Sequence, residues 1–266
     1  MSRPTRDVIA AAALAASVLA GSPAGARQQD QYPETLRLRG DVLVEGGGPL
    51  AGARLRTDAL RGPNANQIVA QREFTTRTGR NGDWSLLGVT RGLWILEVSA
   101  PDHLPHVVVV PISMMNAPDK RPWETSLSLL PAAAMGPIEG AALNSPQRLV
   151  LDAVAGAQGK DRPAARAVLA KLAEMPLESI SLCAAGDIAL LVREPVIARR
   201  FFELAAKASP AWYRPHLGLG SAAMMNFDLD AALTGYAEAR SRTKNEKLTR
   251  MLSAAIKELQ QILRIG

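Results

Sequence analysis

The sequence has one cysteine, Cys183, so no disulfide can form within the chain and the fold must stand on its packed core. It has three histidines, His103, His106 and His216, and aromatic residues make up only 4% of it. No glycine-rich loop runs into Lys-Ser/Thr to cradle a phosphate. Serine, histidine and aspartate are all available, yet no nucleophile motif is present. Nothing beside Cys183 in the sequence would activate its thiol. Pro105 stands between His103 and His106 and precludes the helical geometry of a zinc-binding pair, and no glutamate lies between them. Both histidines read as solvated turn residues, with a metal-dependent hydrolase as the remote alternative. The formal net charge of +6 is scattered, and no arginine/aromatic platform accompanies it, so nucleic acid is not an expected partner. The expectation is a chain without catalytic residues, cofactor or metal.

The first 26 residues read as an export signal. Arg3 and Arg6 form a basic start, Val8 to Ala20 an apolar run, and Ala24-Gly25-Ala26 a small-x-small cleavage site. The run of 13 residues falls short of the roughly 20 that cross a bilayer, so no membrane anchor is expected after cleavage. No cysteine follows the run to carry a lipid. A periplasmic or secreted destination is the expectation.

The 266 residues suit about two domains, and 47% hydrophobic content allows packed cores. Over 34–130 the pattern has period two. Leu36 and Leu38 alternate with Arg37 and Arg39, then Val42 and Val44 with Asp41 and Glu45. Further strands are expected at Ala53 to Thr57, about 67–77, Trp84 to Leu86, Trp94 to Val98, Val107 to Val110 and Thr125 to Leu130. Six or seven short strands with frequent turn signals predict an antiparallel sandwich. Gly40-x-Val42 followed by Pro49-Leu50-Ala51-Gly52-Ala53-x-Leu55 resembles the opening of carboxypeptidase regulatory-like domains. The Thr78-x-x-x-Gly82-x-Trp84 turn and Gly92-x-Trp94-x-Leu96-x-Val98-Ser99-Ala100-Pro101 are similar to that family's later hairpin and strand. Asp102 departs from it, standing where glycine is usual. The resemblance implies a transthyretin-like (prealbumin-like) β-sandwich that is an accessory module and holds no zinc. Trp84 and Trp94 are expected in its core. The alternative makes Trp84, Trp94 and Trp123 a stacking surface for an envelope glycan.

Residues 131–145 are proline-containing and form the expected domain boundary, either a spacer or a segment crossing an interface. From Pro146 the period is helical. Ala164, Ala198 and Ala232 lie 34 residues apart, each followed four residues later by Val168, Phe202 or Tyr236. Pro176 and Pro210 follow the first two alanines at twelve residues. A 34-residue period is that of a helix-turn-helix solenoid. Residues 146–244 resemble about three tetratricopeptide (TPR) repeats. Gly186, Ala189, Ala198, Phe202 and Ala205 carry the signature in the second, and Gly220, Ala223, Ala232, Tyr236 and Ala239 in the third. The first is eroded. Residues 245–266 form an amphipathic capping helix through Leu248, Leu252, Ala255, Ile256 and Leu259.

The resemblance implies a binding groove on the first helix of each repeat. It would be lined by Leu149 and Ala153 in the weak unit, by Cys183, Asp187, Leu190 and Leu191 in the second, and by Arg214, Leu217, Ser221, Met224 and Met225 in the third. This groove is apolar, with Asp187 and Arg214 as polar markers, and suits an apolar or amphipathic helical segment of a partner protein. Its occupation by the chain's own linker or β half stands as the other reading. The function expected is a non-enzymatic exported scaffold or adaptor; an envelope-glycan-binding accessory protein is the alternative.

Overall fold

The computed structural model describes residues 36–60, 73–112, 123–137, 142, 145–159 and 161–265. The expected signal over 1–26 and the start of the extended run at 67–77 lie outside these. Among the described residues seven strands come first: β1 (Leu36–Val44), β2 (Arg54–Leu60), β3 (Phe74–Arg77), β4 (Asp83–Val89), β5 (Gly92–Ser99), β6 (His106–Ile112) and β7 (Trp123–Leu129). They form two sheets, ordered β4-β1-β7 and β3-β2-β5-β6. The alternation in β1 is the one its sequence shows, with Leu38 and Val42 buried and Arg37 and Arg39 exposed.

One pairing departs from the all-antiparallel expectation. β1 and β7 run parallel, from Leu38 opposite Trp123 to Val44 opposite Leu129. They are the first and last strands, so no hairpin turn fixes their relative sense. The Thr78 turn behaves as its sequence suggests. The Thr78 hydroxyl donates to the Leu50 carbonyl at 2.6 Å and accepts from the Ala53 amide at 2.9 Å. Gly82 takes φ +72°, and a Cβ there would meet the Val42 carbonyl oxygen at 2.4 Å. Trp84 and Trp94 are 4% and 2% exposed, so neither presents a ring face for sugar stacking; Trp123 is half-buried.

Among the described residues seven helices follow: α1 (Pro146–Gln158), α2 (Arg162–Leu172), α3 (Ser179–Leu191), α4 (Pro195–Ala208), α5 (Tyr213–Met225), α6 (Leu229–Arg242) and α7 (Glu246–Ile265). Ala164, Ala198 and Ala232 fall near the starts of α2, α4 and α6, which pack on α1, α3 and α5. The small residues have a visible purpose. A Cβ at Gly186 or Gly218 would sit 2.6 or 2.4 Å from the Phe202 ring, and one at Gly220 would sit 2.3 Å from Tyr236. Helix approach therefore depends on glycine facing an aromatic ring. The turns repeat as well: Arg193 and Phe227, 34 apart, both adopt positive φ, +64° and +59°.

The described start of the boundary segment, residues 131–137, is bonded on one side to the strands and on the other to the helices. A 3-10 turn over Ala132–Met135 buries Ala132 and Met135. The Ala132 amide donates to the Asp102 carbonyl at 2.8 Å, and Gln147 Nε2 donates to the Met135 carbonyl at 3.1 Å. Strands and helices belong to one compact unit, Glu34–Gly266. Helix α7 buries Leu248, Met251, Leu252, Ala255, Ile256 and Leu259 and lies on β7 and β6 as well as on α6. No helix among the described residues is long and apolar enough to cross a membrane.

Gly218→Ala forces a methyl into the Phe202 ring and should lower stability by about 1–3 kcal/mol. Urea denaturation of the two proteins checks this. Phe202→Leu in the Gly218→Ala background should recover part of the loss.

Candidate functional site

All seven residues of β6 are buried. Among the described residues this strand has one sheet neighbour, β5, so its other edge would present unpaired amides and carbonyls. That edge instead lies on the helices. The Val107 amide donates to Asp187 Oδ1 at 3.0 Å, and the Val109 amide to Ser221 Oγ at 3.3 Å. The Tyr236 hydroxyl donates to the Val109 carbonyl. Position 111 comes next in the alternation and is proline, which has no amide to satisfy.

The sequence-derived groove residues are thus brought together, and they face inward. Cys183, Asp187, Leu190, Arg214, Leu217, Ser221, Met224 and Met225 are all buried, as are Leu149 and Ala153; Leu191 is half-buried. Of the two occupants left open by the sequence, the one present is the chain's own. It is an extended strand, where the sequence pointed to a helical segment. A carboxylate, a hydroxyl and a phenol on the helical face reach for main-chain groups, which a helix has already bonded internally and a strand edge still offers.

A buried polar cluster sits at one end of this contact. Arg214 is 1% exposed and donates to Asp187 Oδ2 at 3.3 Å, Glu45 Oε2 at 3.1 Å and the Ser128 carbonyl at 3.0 Å. Glu45 also accepts from Trp212 Nε1 at 2.8 Å, the Tyr213 hydroxyl at 3.2 Å and Ser128 Oγ at 3.1 Å. His106 Nδ1 lies 3.1 Å from Asp187 Oδ1. A second set of contacts lies beyond it: Arg193 pairs with Glu97 at 2.9 Å and Asp58 at 3.4 Å, and Lys247 pairs with Asp41.

Burial, seconded by the Arg214 charge, lowers the His106 pKa and outweighs the pull of Asp187 in the other direction. The lowered pKa favours the neutral ring, whose Nδ1–H donates a hydrogen bond to the Asp187 carboxylate. For Glu45, burial pushes upward, but Arg214 and three hydrogen bonds together hold the carboxyl below its usual range. Arg214 is held cationic by Asp187 and Glu45 against the effect of burial. Burial raises the Cys183 thiol well above its ordinary value and, with Glu45, pushes Tyr213 up to about 12. The raised Cys183 thiol and Tyr213 phenol are the opposite of activated nucleophiles.

Sequence reasoning found Asp187 and Arg214 and missed their partners Glu45, His106, Ser128, Trp212 and Tyr213. His106, read as a solvated turn residue, is 2% exposed. The available signal was the unbroken Val107–Val110 run, which marks a strand buried on both faces. His103 turns elsewhere, its Nδ1 2.7 Å from the Pro101 carbonyl, so the two histidines do not converge on one point. His216 is half-buried on α5. Among the described residues no group of three or more His, Cys, Asp or Glu is arranged to hold a metal ion.

No family model matches the chain, and no curated protein matches it. Solved structures give distant likenesses. Catechol 1,2-dioxygenase from Acinetobacter sp. ADP1 is 13% identical over 39% of this chain and 55% of its own, with a TM-score of 0.30. The Acinetobacter radioresistens enzyme is 13% identical over 43% of this chain and 58% of its own, with a TM-score of 0.32. The TPR domain of Arabidopsis OM64 is 14% identical over 44% of this chain and 94% of its own, with a TM-score of 0.37. The chain spans little more than half the length of these dioxygenases. At such scores none of these likenesses carries an argument about activity.

Two measurements test the cluster. Asp187→Ala strands Arg214 in the interior and should cost about 3–5 kcal/mol in chemical denaturation; adding Arg214→Met should return much of it. The second concerns pH. His106 has a lowered pKa in the folded state, so the unfolded chain binds more protons below the ordinary value of 6.5. Stability should therefore fall as pH drops below 6.5, and further as Glu45 is protonated below its ordinary 4.5. His106→Gln should flatten the first part of the profile and leave the second. A small slope from His216, lowered by partial burial and Arg242, should remain in that variant.

Proposed function

We propose that the chain is a non-enzymatic scaffold or adaptor of the exported, periplasmic compartment. In this reading a transthyretin-like sandwich is held by a short tetratricopeptide-type solenoid. One observation carries it: the helical face on which such arrays take a partner's segment is hydrogen-bonded, at Asp187, Ser221 and Tyr236, to the main chain of β6. The array uses the binding mode of its kind on its own sheet. A partner segment enters that groove only by replacing β6. Protein partners are therefore met on the outer surfaces of a rigid two-part body. Three observations support a role without catalysis: the thiol of Cys183 is buried, His106 is committed to Asp187, and Arg214 is paired with Glu45 and Asp187.

Exposed apolar side chains offer the places to look. Leu87 on β4, and Val196 and Leu204 on α4, are 69%, 63% and 51% exposed. With a photocrosslinking residue at 87, 196 or 204 in cells, we expect one envelope protein to be captured repeatedly from a single one of these surfaces. Fractionation should place the protein outside the cytoplasm. No capture from any of the three positions would sink the adaptor reading.

A further inference from the structure

A separate feature lies on the four-stranded sheet. A cleft of about 450 Å3 opens where the outward face of β2 and β5 meets the ends of α1 and α3 and the start of α2. The strand register sets its polar side chains on one side. Arg54 and Arg56 of β2 stand opposite Ser99 and Glu97 of β5, while Leu55 and Thr57 turn to the core. Residues directly opposite in an antiparallel pair share a face, so all four side chains point outward. From the helices come Gln158 at the end of α1 and Arg162 at the start of α2. Buried Pro105 and half-buried Ala157 and Leu191 add apolar wall.

The carboxylates at this cleft are already held. Arg56 pairs with Glu73 at 2.7 Å and with Glu97 at 3.3 Å. Behind them Arg193 pairs with Glu97 at 2.9 Å and with Asp58 at 3.4 Å. Arg54 and Arg162 differ: among the described residues neither side chain has an ion pair or a hydrogen bond. Four guanidiniums thus face three carboxylates, which leaves one positive charge unmatched. Two flanking charges offset each other. Arg77, opposite Arg54 in the register of β2 with β3, turns to the Gly52 carbonyl, and Asp161, beside Arg162, caps the Ala164 amide.

We propose that this cleft binds a singly charged carboxylate carried on an apolar body. The carboxylate lies between Arg54 and Arg162, whose planar forks match its two oxygens, and Ser99 and Gln158 offer further donors. The apolar body rests on Pro105, Ala157 and Leu191. One negative charge balances the site. A dianion exceeds that balance and meets Glu73 and Glu97, a cation meets the two free guanidiniums, and a neutral molecule leaves them unmatched. The volume is that of a small-molecule site. The site is independent of the adaptor reading, and either stands if the other fails.

The test follows the backbone amide resonances of the full-length protein by 15N–1H NMR during titration. Hexanoate and N-acetyl-alanyl-leucine present the same chemistry from two sources, a free acid and a peptide terminus. Acetate lacks the apolar body, hexanamide lacks the charge, and hexyl phosphate carries a second one. Hexanoate or the peptide should shift the Ser99 and Gln158 amides, and the tighter of the two names the source. Each comparator should bind at least tenfold more weakly than that probe. Arg54→Ala and Arg162→Ala should each raise its dissociation constant at least tenfold with the melting temperature unchanged, because both side chains are exposed and unbonded. Arg200→Ala, on the exposed face of α4, should bind like the parent. The proposal is overturned if neither carboxylate moves these amides, if any comparator binds within tenfold of the tighter carboxylate, or if either variant at Arg54 or Arg162 binds like the parent.

Discussion

Arg214 is cationic, almost wholly removed from water, and bonded to acceptors from both halves of the chain. Asp187 comes from α3, Glu45 follows the exposed turn side of β1, and Ser128 belongs to β7. A guanidinium can be buried only where such acceptors are already in place. The helices therefore have one seating on the strands in which this charge is matched. The net stability of such a cluster, compared with apolar residues of the same shape, is small. What it fixes is register, and β6 is the element whose register it fixes. Asp187 serves both the guanidinium and the Val107 amide, so the ion pair and the strand edge are set by the same carboxylate.

The remaining architecture makes that seating affordable. Glycines at 186, 218 and 220 let Phe202 and Tyr236 lie between helix backbones, which brings α3 and α5 close enough to flank a single strand. The hydroxyl of Tyr236 then reaches past its own packing position to the Val109 carbonyl. At the turn after α3, Arg193 accepts a left-handed backbone conformation, and its side chain joins Glu97 and Asp58 of the sheet. At the far end α7 covers β7 and carries Lys247 and Asn245 onto Asp41 and Ser126. An edge strand that would invite association with other chains is thus covered along its length.

Much of this was legible in the sequence. The 34-residue spacing of Ala164, Ala198 and Ala232 located the helix pairs, because close helix packing demands small residues at fixed intervals. Period-two alternation located β1, and the Thr78 turn was readable because a tight turn asks for glycine at positive φ, which Gly82 adopts. Other features were not legible, for physical reasons. The parallel pairing of β1 with β7 joins strands at opposite ends of the β half, where no local turn encodes direction. The occupant of the groove was also hidden. Asp187 and Arg214 were identifiable as its polar residues, but Glu45 and His106 lie 169 and 81 residues from their partners. Period and composition report the faces of single elements; they do not report which face meets which.

The central claim is that β6 is a permanent resident of the helical groove, and native-state hydrogen exchange at the Val107 and Val109 amides tests it most directly. Their acceptors are Asp187 and Ser221, supplied wholly by the helices. The account predicts that both amides exchange only through global unfolding, with the same free energy as the most protected amides of α5. Exchange of these two amides through a lower-energy opening, while α5 stays protected, would show a strand that leaves the groove in the folded protein and would contradict the account.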